Sequence, residues 1–368
     1  MSNIKLDNRK LLIIGLFLIT FFAVTIHSLE NGSYEKNSLK AFQNLTGEGT
    51  KEDPYLITDI NELNAIRHSM NSTYLIVEDI DASSTKKWDT GKGFAPIGTR
   101  STEATTKSFK GVIRGNNKTI TGLTIHRPER TYTGLFGHTE DSKVKNLELI
   151  SADIIGSHST GILAGETAGN VEITNLEVTG SVKGGNRTGG LIGNFGSSGE
   201  IDNAYSTTKI HGNRFVGGLT GYNQYNSSVR NTHSKSKVRA DAFSAGGLSG
   251  RNEGVIMNSS SNSTVNGASR VGGLVGDNVG KPGVSYDPII ANSFSDSWVD
   301  GGEFVGLFVG FNGLDVDLLQ IEEKGYEVRI ENSYYRERKN LLPIGRNKGD
   351  YTNLSSLESS SSYNRKFY

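Results

Sequence analysis

The sequence predicts an all-β fold: a right-handed parallel β-helix (β-solenoid) of about 28 residues and three strands per coil, preceded by an N-terminal cap that contains a short helix. Three observations carry this. A glycine-clasped leucine recurs along the chain, an asparagine recurs in phase with it, and the residues between them are chiefly Gly, Asn, Ser and Thr.

The clasps read Gly134-Leu-Phe-Gly137, Gly161-Ile-Leu-Ala-Gly165, Gly190-Leu-Ile-Gly193, Gly218-Leu-Thr-Gly221, Gly247-Leu-Ser-Gly250, Gly273-Leu-Val-Gly276 and Gly306-Leu-Phe-Val-Gly310. Their closing glycines lie 28, 28, 28, 29, 26 and 34 residues apart. Such a period marks a stack in which each repeat buries its apolar side against its neighbours. Helical repeats do not fit, since glycine costs roughly 1 kcal/mol per helix position relative to alanine. The central residues Leu135, Ile162, Leu191, Leu219, Leu248, Leu274 and Leu307 are expected to form one interior file. The glycines beside them are expected to supply tight corners and close backbone approach.

The second mark is Asn146, Asn175, Asn203, Asn231, Asn258, Asn292 and Asn332, each two residues after an aliphatic residue (Val144, Ile173, Ile201, Val229, Ile256, Ile290, Ile330). An inward side chain at Asn−2 and another at Asn+1 are three residues apart, whereas strand side chains alternate with period two, so a bend must absorb one residue. Asn tolerates the left-handed backbone of such a bend. Stacked Asn amides can also hydrogen-bond from coil to coil. A further aliphatic file, Val182, Ile210, Val238, Val265 and Val299, supplies the next strand.

The segments Gly189-Gly-Leu-Ile-Gly193, Gly217-Gly-Leu-Thr-Gly221, Gly246-Gly-Leu-Ser-Gly250 and Gly272-Gly-Leu-Val-Gly276 resemble the GLUG motif, and the first, second and seventh clasps are degenerate copies. Upstream, Phe94-Ala-Pro-Ile-Gly98, Phe109-Lys-Gly111 and Thr119-Ile-Thr-Gly-Leu-Thr-Ile125 look like the segment that leads into such repeats. The resemblance covers Gly47 to Tyr335. It implies an exported, adhesin-like surface protein; the family also occurs in the non-catalytic region of immunoglobulin A peptidases of the streptococcal type.

The chain divides into a signal anchor or signal peptide (1–30), a linker (31–46), the cap (47–93), the solenoid (94–345) and a Ser-rich tail expected to be disordered (346–368). In the cap, Asp59-x-x-Glu62 reads as a capping box ahead of Ile60, Leu63, Ile66 and Met70, and Tyr74–Ile80 reads as a strand. The uninterrupted apolar run Leu11–Ile26, preceded by Lys5, Arg9 and Lys10, places the solenoid outside the cytoplasm, tethered to the membrane or secreted. With Cys 0, there is no disulfide and no thiol-ligated metal, so the stack itself must hold the fold.

Lys+Arg 39 balance Asp+Glu 39, and no stretch interleaves basic and aromatic residues, which argues against nucleic acid as a partner. Neither a His-Glu-x-x-His helix, a nucleophile elbow nor a phosphate loop occurs, and no cofactor or metal site is expected. Asp79 with Asp81, and Asp315 with Asp317, read as solvated or turn carboxylates, and the variable positions show no local rule-breaking that would mark a strained site. The outward file two residues after each Asn is the candidate surface: Glu148, Glu177, Tyr205, His233, Ser260, Phe294 and Tyr334. Tyr205, His233, Phe294 and Tyr334 are the candidate ligand-binding residues, facing a cell-surface glycan or protein; Tyr and Phe are also good strand residues in their own right. Phe136, Leu163, Ile192, Thr220, Ser249, Val275 and Phe308 read as a packing file. A non-catalytic binding surface is the leading expectation. A carbohydrate-active lyase or glycosidase is the alternative, with Glu148 and Glu177 the one carboxylate pair on adjacent coils. Leu219→Ala should cost about 2–5 kcal/mol as a core truncation; a variant whose urea midpoint matches the parent would show the leucine file is not buried.

Overall fold

The computed structural model describes residues 37–100, 107–280, 287–314, 328–338, 341–347 and 350–357. The apolar run 11–26, the pair Asp315 and Asp317, and residues 358–368 lie outside these. The fold is a parallel β-helix in which each coil pairs with its predecessor and successor. In the coil beginning at Glu200 the three sides are 200–202, 204–211 and 216–223. The first pairs with 172–174 below and 228–230 above. The second lies between 176–183 and the strands at 233–234 and 237–240. The third lies between 188–195 and 245–252.

The first corner is the asparagine. Asn146, Asn175, Asn203, Asn231, Asn258, Asn292 and Asn332 all have left-handed φ, from 57° at Asn146 to 43° at Asn332. The residue after each, such as Leu147, Leu176 or Ala204, turns inward and is buried. The second corner is turned by residues that announce nothing in the sequence: Arg187, Phe215, Ser244, Arg270 and Phe304 adopt φ of 60°, 53°, 61°, 56° and 51°. A bulky residue there is unusual. None of the clasp glycines has positive φ, which corrects the expectation that they turn corners. Their work is close approach: a Cβ on Gly218 would fall inside the Ser234 hydroxyl and the Gly247 carbonyl oxygen of the coil above.

Leu135, Ile162, Leu191, Leu219, Leu248, Leu274 and Leu307 are each at most 1% exposed. The Leu191 amide donates to Leu219 O (2.9 Å) and the Leu219 amide to Leu248 O (2.8 Å). The neighbouring file differs from the expected one at two positions. Its register runs Phe136, Ala164, Ile192, Thr220, Ser249, Val275, Val309. Ala164 and Val309 replace Leu163 and Phe308 because those two clasps contain an extra residue, which displaces the pairing by one.

The interior is not wholly apolar. On the second side Leu149 and Val178 give way to Ser206, Ser234, Ser261 and Ser295 in consecutive register. Ser206 Oγ donates to Gly218 O (2.6 Å) and Ser295 Oγ to Leu307 O (2.8 Å), two clasp carbonyls across the core, while Ser234 and Ser261 donate to Ser236 and Ser263 (both 3.0 Å). A buried amide ladder follows the clasps and ends at an exposed asparagine: Asn223 Nδ2 donates to Asn252 Oδ1 (2.7 Å), Asn252 to Asn278 (2.8 Å), Asn278 to Asn312 (2.8 Å) and Asn312 to the exposed Asn347 (2.9 Å). The signal was in the sequence as Gly-x-Asn after each of the later clasps, Gly221-Tyr-Asn223 onward, and the sequence reading missed it.

In the cap, Asp59 accepts from the amides of Asn61 (2.8 Å) and Glu62 (2.9 Å) and starts the helix Ile60–Ala65. Glu62 reaches back one residue further than a capping box requires, to the Thr58 amide (2.7 Å). Ile60, Leu63 and Ile66 are buried. The strands Tyr55–Ile57 and Thr73–Ile76 already stack in register beneath residues 112–114. At the other end stacking continues past 345: residues 350–352 pair with 329–331, and 355–357 with 334–336. The start of the tail is therefore a coil, since backbone pairing with an exposed strand edge organises even a Ser-rich segment. Asn252→Ala should cost about 2–5 kcal/mol, because it leaves the buried Asn223 donor and Asn278 acceptor unpaired, while Asn175→Gly, which keeps the left-handed corner and removes only exposed amide bonds, should cost under about 1 kcal/mol; urea melts of the two variants check the contrast.

Candidate functional site

The residue two beyond each corner Asn points outward, and register aligns these residues in one row: Thr119, Glu148, Glu177, Tyr205, His233, Ser260, Phe294, Tyr334 and Ser355. Successive members are about 4.8 Å apart along the stack. The four candidate ligand residues fall into two pairs. Tyr205 and His233 rings lie 6.5 Å apart at 52°. Phe294 and Tyr334 adjoin two coils further on, with Tyr334 41% exposed. Ser260, 8% exposed, separates the pairs and meets His233 Nδ1 at 2.8 Å. Burial, reinforced by Lys235, holds the His233 pKa below its ordinary value.

At the lower end of the row an open groove of about 190 Å³ runs along the asparagine corner, lined by Asn117, Asn146, Asn175 and Asn203 and by Glu148, Glu177 and Tyr205. Asn175 Nδ2 donates to Asn146 Oδ1 and Asn203 Nδ2 to Asn175 Oδ1, both at 2.7 Å. The file then breaks, because Asn231 donates to Asp202 Oδ1 (2.7 Å) instead. The groove thus combines a row of amides, two stacked carboxylates and one aromatic edge, a donor and acceptor set suited to hydroxyl-rich ligands. The sequence shows Asn117 as an Asn-x-Thr sequon but hides its place in the corner file, because Gly115-Asn116 intervenes after Arg114. Asp79 and Asp81 cap backbone amides, of Thr119 (2.9 Å) and Ser83 (2.8 Å), as turn carboxylates do.

A second polar file follows the clasps: His138, Glu166, Asn194, Tyr222, Arg251, Asp277, Phe311 and Arg346. Arg100 pairs with Glu166 (2.7 Å), Arg251 with Glu253 (2.6 Å) and Arg270 with Asp277 (3.2 Å). Burial pushes the Asp277 carboxyl up, against the pull of Arg270. Guanidinium groups stack on rings of neighbouring coils: Arg251 lies 5.4 Å from the Phe215 centroid, Arg270 4.8 Å from Phe311 and Arg346 5.0 Å from Phe304. Buried charges and left-handed Phe215 and Phe304 contradict the expectation that no position breaks local rules. The Arg–aromatic alternation was equally invisible along the chain, since its members come from different coils. Such contacts offset the strain of the second corner. Among the described residues no group of three or more His, Asp and Glu is placed to hold a metal ion.

No protein-family model matches the chain. It is 37% identical over 141 residues to halomucin of Haloquadratum walsbyi, covering 37% of this chain and 2% of halomucin. It is 38% identical over 127 residues to a protein provisionally named a Gly-rich membrane protein from Evansella cellulosilytica, covering 34% of this chain and 14% of that one. The chain thus spans a small part of either relative's length. Among solved structures, a protein provisionally named an immunoglobulin A1 protease from Bacteroides ovatus matches with TM-score 0.51 and 19% identity, over 85% of this chain and 86% of that one. An IgA1 protease matches with TM-score 0.50 and 16% identity, over 82% of this chain and 23% of that one. These likenesses concern the fold, and with the pairing above they establish a parallel β-helix. Among the described residues no helix is long and apolar enough to cross a membrane.

Because the folded His233 pKa lies below the unfolded value, the unfolded chain binds more protons between the two, so stability should be full above the ordinary histidine pKa and fall as pH drops through it. His233→Gln should reduce that slope, as read from urea midpoints at neutral and mildly acidic pH.

Proposed function

We propose that this chain is a non-catalytic cell-surface β-solenoid of the GLUG-repeat kind, whose elongated outer face binds a glycan or a protein. The observation that carries this reading is the single outward row from Glu148 to Tyr334, with its amide-lined groove at one end and two aromatic pairs along it. Aromatic faces and amide edges repeated at the coil pitch suit a polymer with repeating units. An extracellular location, with the N-terminal segment as membrane anchor or export signal, is supported by the Leu11–Ile26 run behind Lys5, Arg9 and Lys10, and by the names of the two sequence relatives.

One observation favours a second reading. Glu148 and Glu177 are direct register neighbours inside the groove, and a coil pitch of about 4.8 Å is near the separation of about 5–5.5 Å found in retaining glycosidases. A carbohydrate-active enzyme would use this pair. The protease names of the solved neighbours belong to those proteins.

A glycan array and a panel of polysaccharides distinguish the readings. Retention without released sugar is expected. Tyr205→Ser combined with Phe294→Ser and Tyr334→Ser should weaken retention at least tenfold, at about 0.5–1.5 kcal/mol per ring contact; unchanged retention ends this reading. Released sugar that disappears in Glu148→Gln or Glu177→Gln would establish the enzyme instead.

A further inference from the structure

The neutral overall charge conceals a local imbalance on the second side of the central coils. There the segment Lys235-Ser-Lys237-Val-Arg239, which enters the strand at Lys237, turns all three of its cations outward, while Ser236 and Val238 are buried between them. Register sets Lys237 directly above Lys209, and Arg239 above His211, which lies above Lys183. The lysines and Arg239 are exposed. At the adjoining corner Arg214, also exposed, stands over the Phe243 ring at 4.8 Å.

Only Asp241 answers this charge, taking His211 at 2.8 Å and Arg239 at 3.2 Å. Lys183, Lys209, Lys235 and Lys237 make no ion pair among the described residues. Along these files the next carboxylates are Asp153, two coils below Lys209, Asp300, two coils above Arg239, and Asp296, two coils above Lys235, where Arg336 and Arg338 already take it. Like charges directly opposed in a sheet destabilise it. A face that stacks them without counter-charges is one that an anion relieves.

We infer that this face binds an acidic polysaccharide, one carrying carboxylate or sulfate groups on successive rings. The inference rests on the glycan-binding reading above and names the ligand's chemistry. The cations form a grid, about 4.8 Å apart up the stack and about 7 Å apart along each strand, which is the scale of single sugar rings. Tyr205 and His233 lie on the same outward face, four residues before Lys209 and Lys237, and give a ring a surface to rest on. Beside the cations stand Thr207 and Thr264, whose exposed hydroxyls suit sugar oxygens.

The test measures binding of the full chain to heparin, polygalacturonate, dextran and a single-stranded DNA of matched charge. Both acidic polysaccharides should bind, more weakly as salt rises. The combined variant Lys209→Gln, Lys237→Gln and Arg239→Gln should bind them at least tenfold more weakly. Its melting temperature should hold or rise, because the stacked like charges are gone, so lost binding is not lost folding. Unchanged affinity in that variant overturns the inference, as does DNA binding as tight as that of the polysaccharides. If dextran binds through Tyr205 and the acidic polymers do not, the ligand class is wrong while the glycan-binding reading stands. If no polysaccharide binds at all, both fail.

Discussion

The whole structure depends on how closely one coil lies over the next at the leucine clasp. A Cβ on Gly217, Gly218 or Gly221 would collide with backbone of the same or neighbouring coils, so glycine at these positions is what lets consecutive third sides hydrogen-bond at full sheet spacing. With that distance set, leucine packs on leucine, hydroxyls reach clasp carbonyls across a narrow interior, and each side holds its own register, one-residue shifts being absorbed at the corner between the second and third sides. A one-residue slip would turn every inward side chain outward. The two clasps that hold an extra residue show the rule at work. The chain keeps the register and gives up the residue identity, exchanging Leu163 for Ala164 and Phe308 for Val309 at the paired positions.

Register then makes surfaces from residues that have no proximity in sequence. The outward row, the groove at the asparagine corner and the basic grid on the second side are all products of stacking, one residue per coil. Each file also carries polar groups into the stack in a repeating way. Asparagine does this twice, once at the exposed corner, where its amides bridge coils and tolerate breaks such as Asn231 to Asp202, and once in the buried ladder, where donor follows acceptor from Asn223 to Asn347. The exposed ladder shapes a surface, whereas the buried one leaves no amide without a partner.

The corners divide the labour differently from what glycine content suggests. Asparagine turns the first, and the second is turned by Arg, Phe or Ser held left-handed, with guanidinium groups stacked on rings from the next coil. A solenoid built this way concentrates charge and aromatic surface along one edge without any charge run in the sequence. That edge adjoins the basic grid, so the second side and its corner gather cations in a chain with no net charge.

The repeat period, the inward files, the asparagine bends and the capped N-terminal helix were all legible in the sequence, because each follows from spacing and from local backbone preference. So was the outward row, since it is counted from the asparagines. The amide ladder was legible too, as Gly-x-Asn after the later clasps, but the second corner, Asn117 in the groove and the facing of Lys209 with Lys237 were decided by the tertiary structure alone. Their members lie about a coil apart, and insertions or unremarkable residue types mask their phase until backbone pairing sets each coil against the next. Periodicity determines which way a side chain points; only the stacking of coils determines what it points beside.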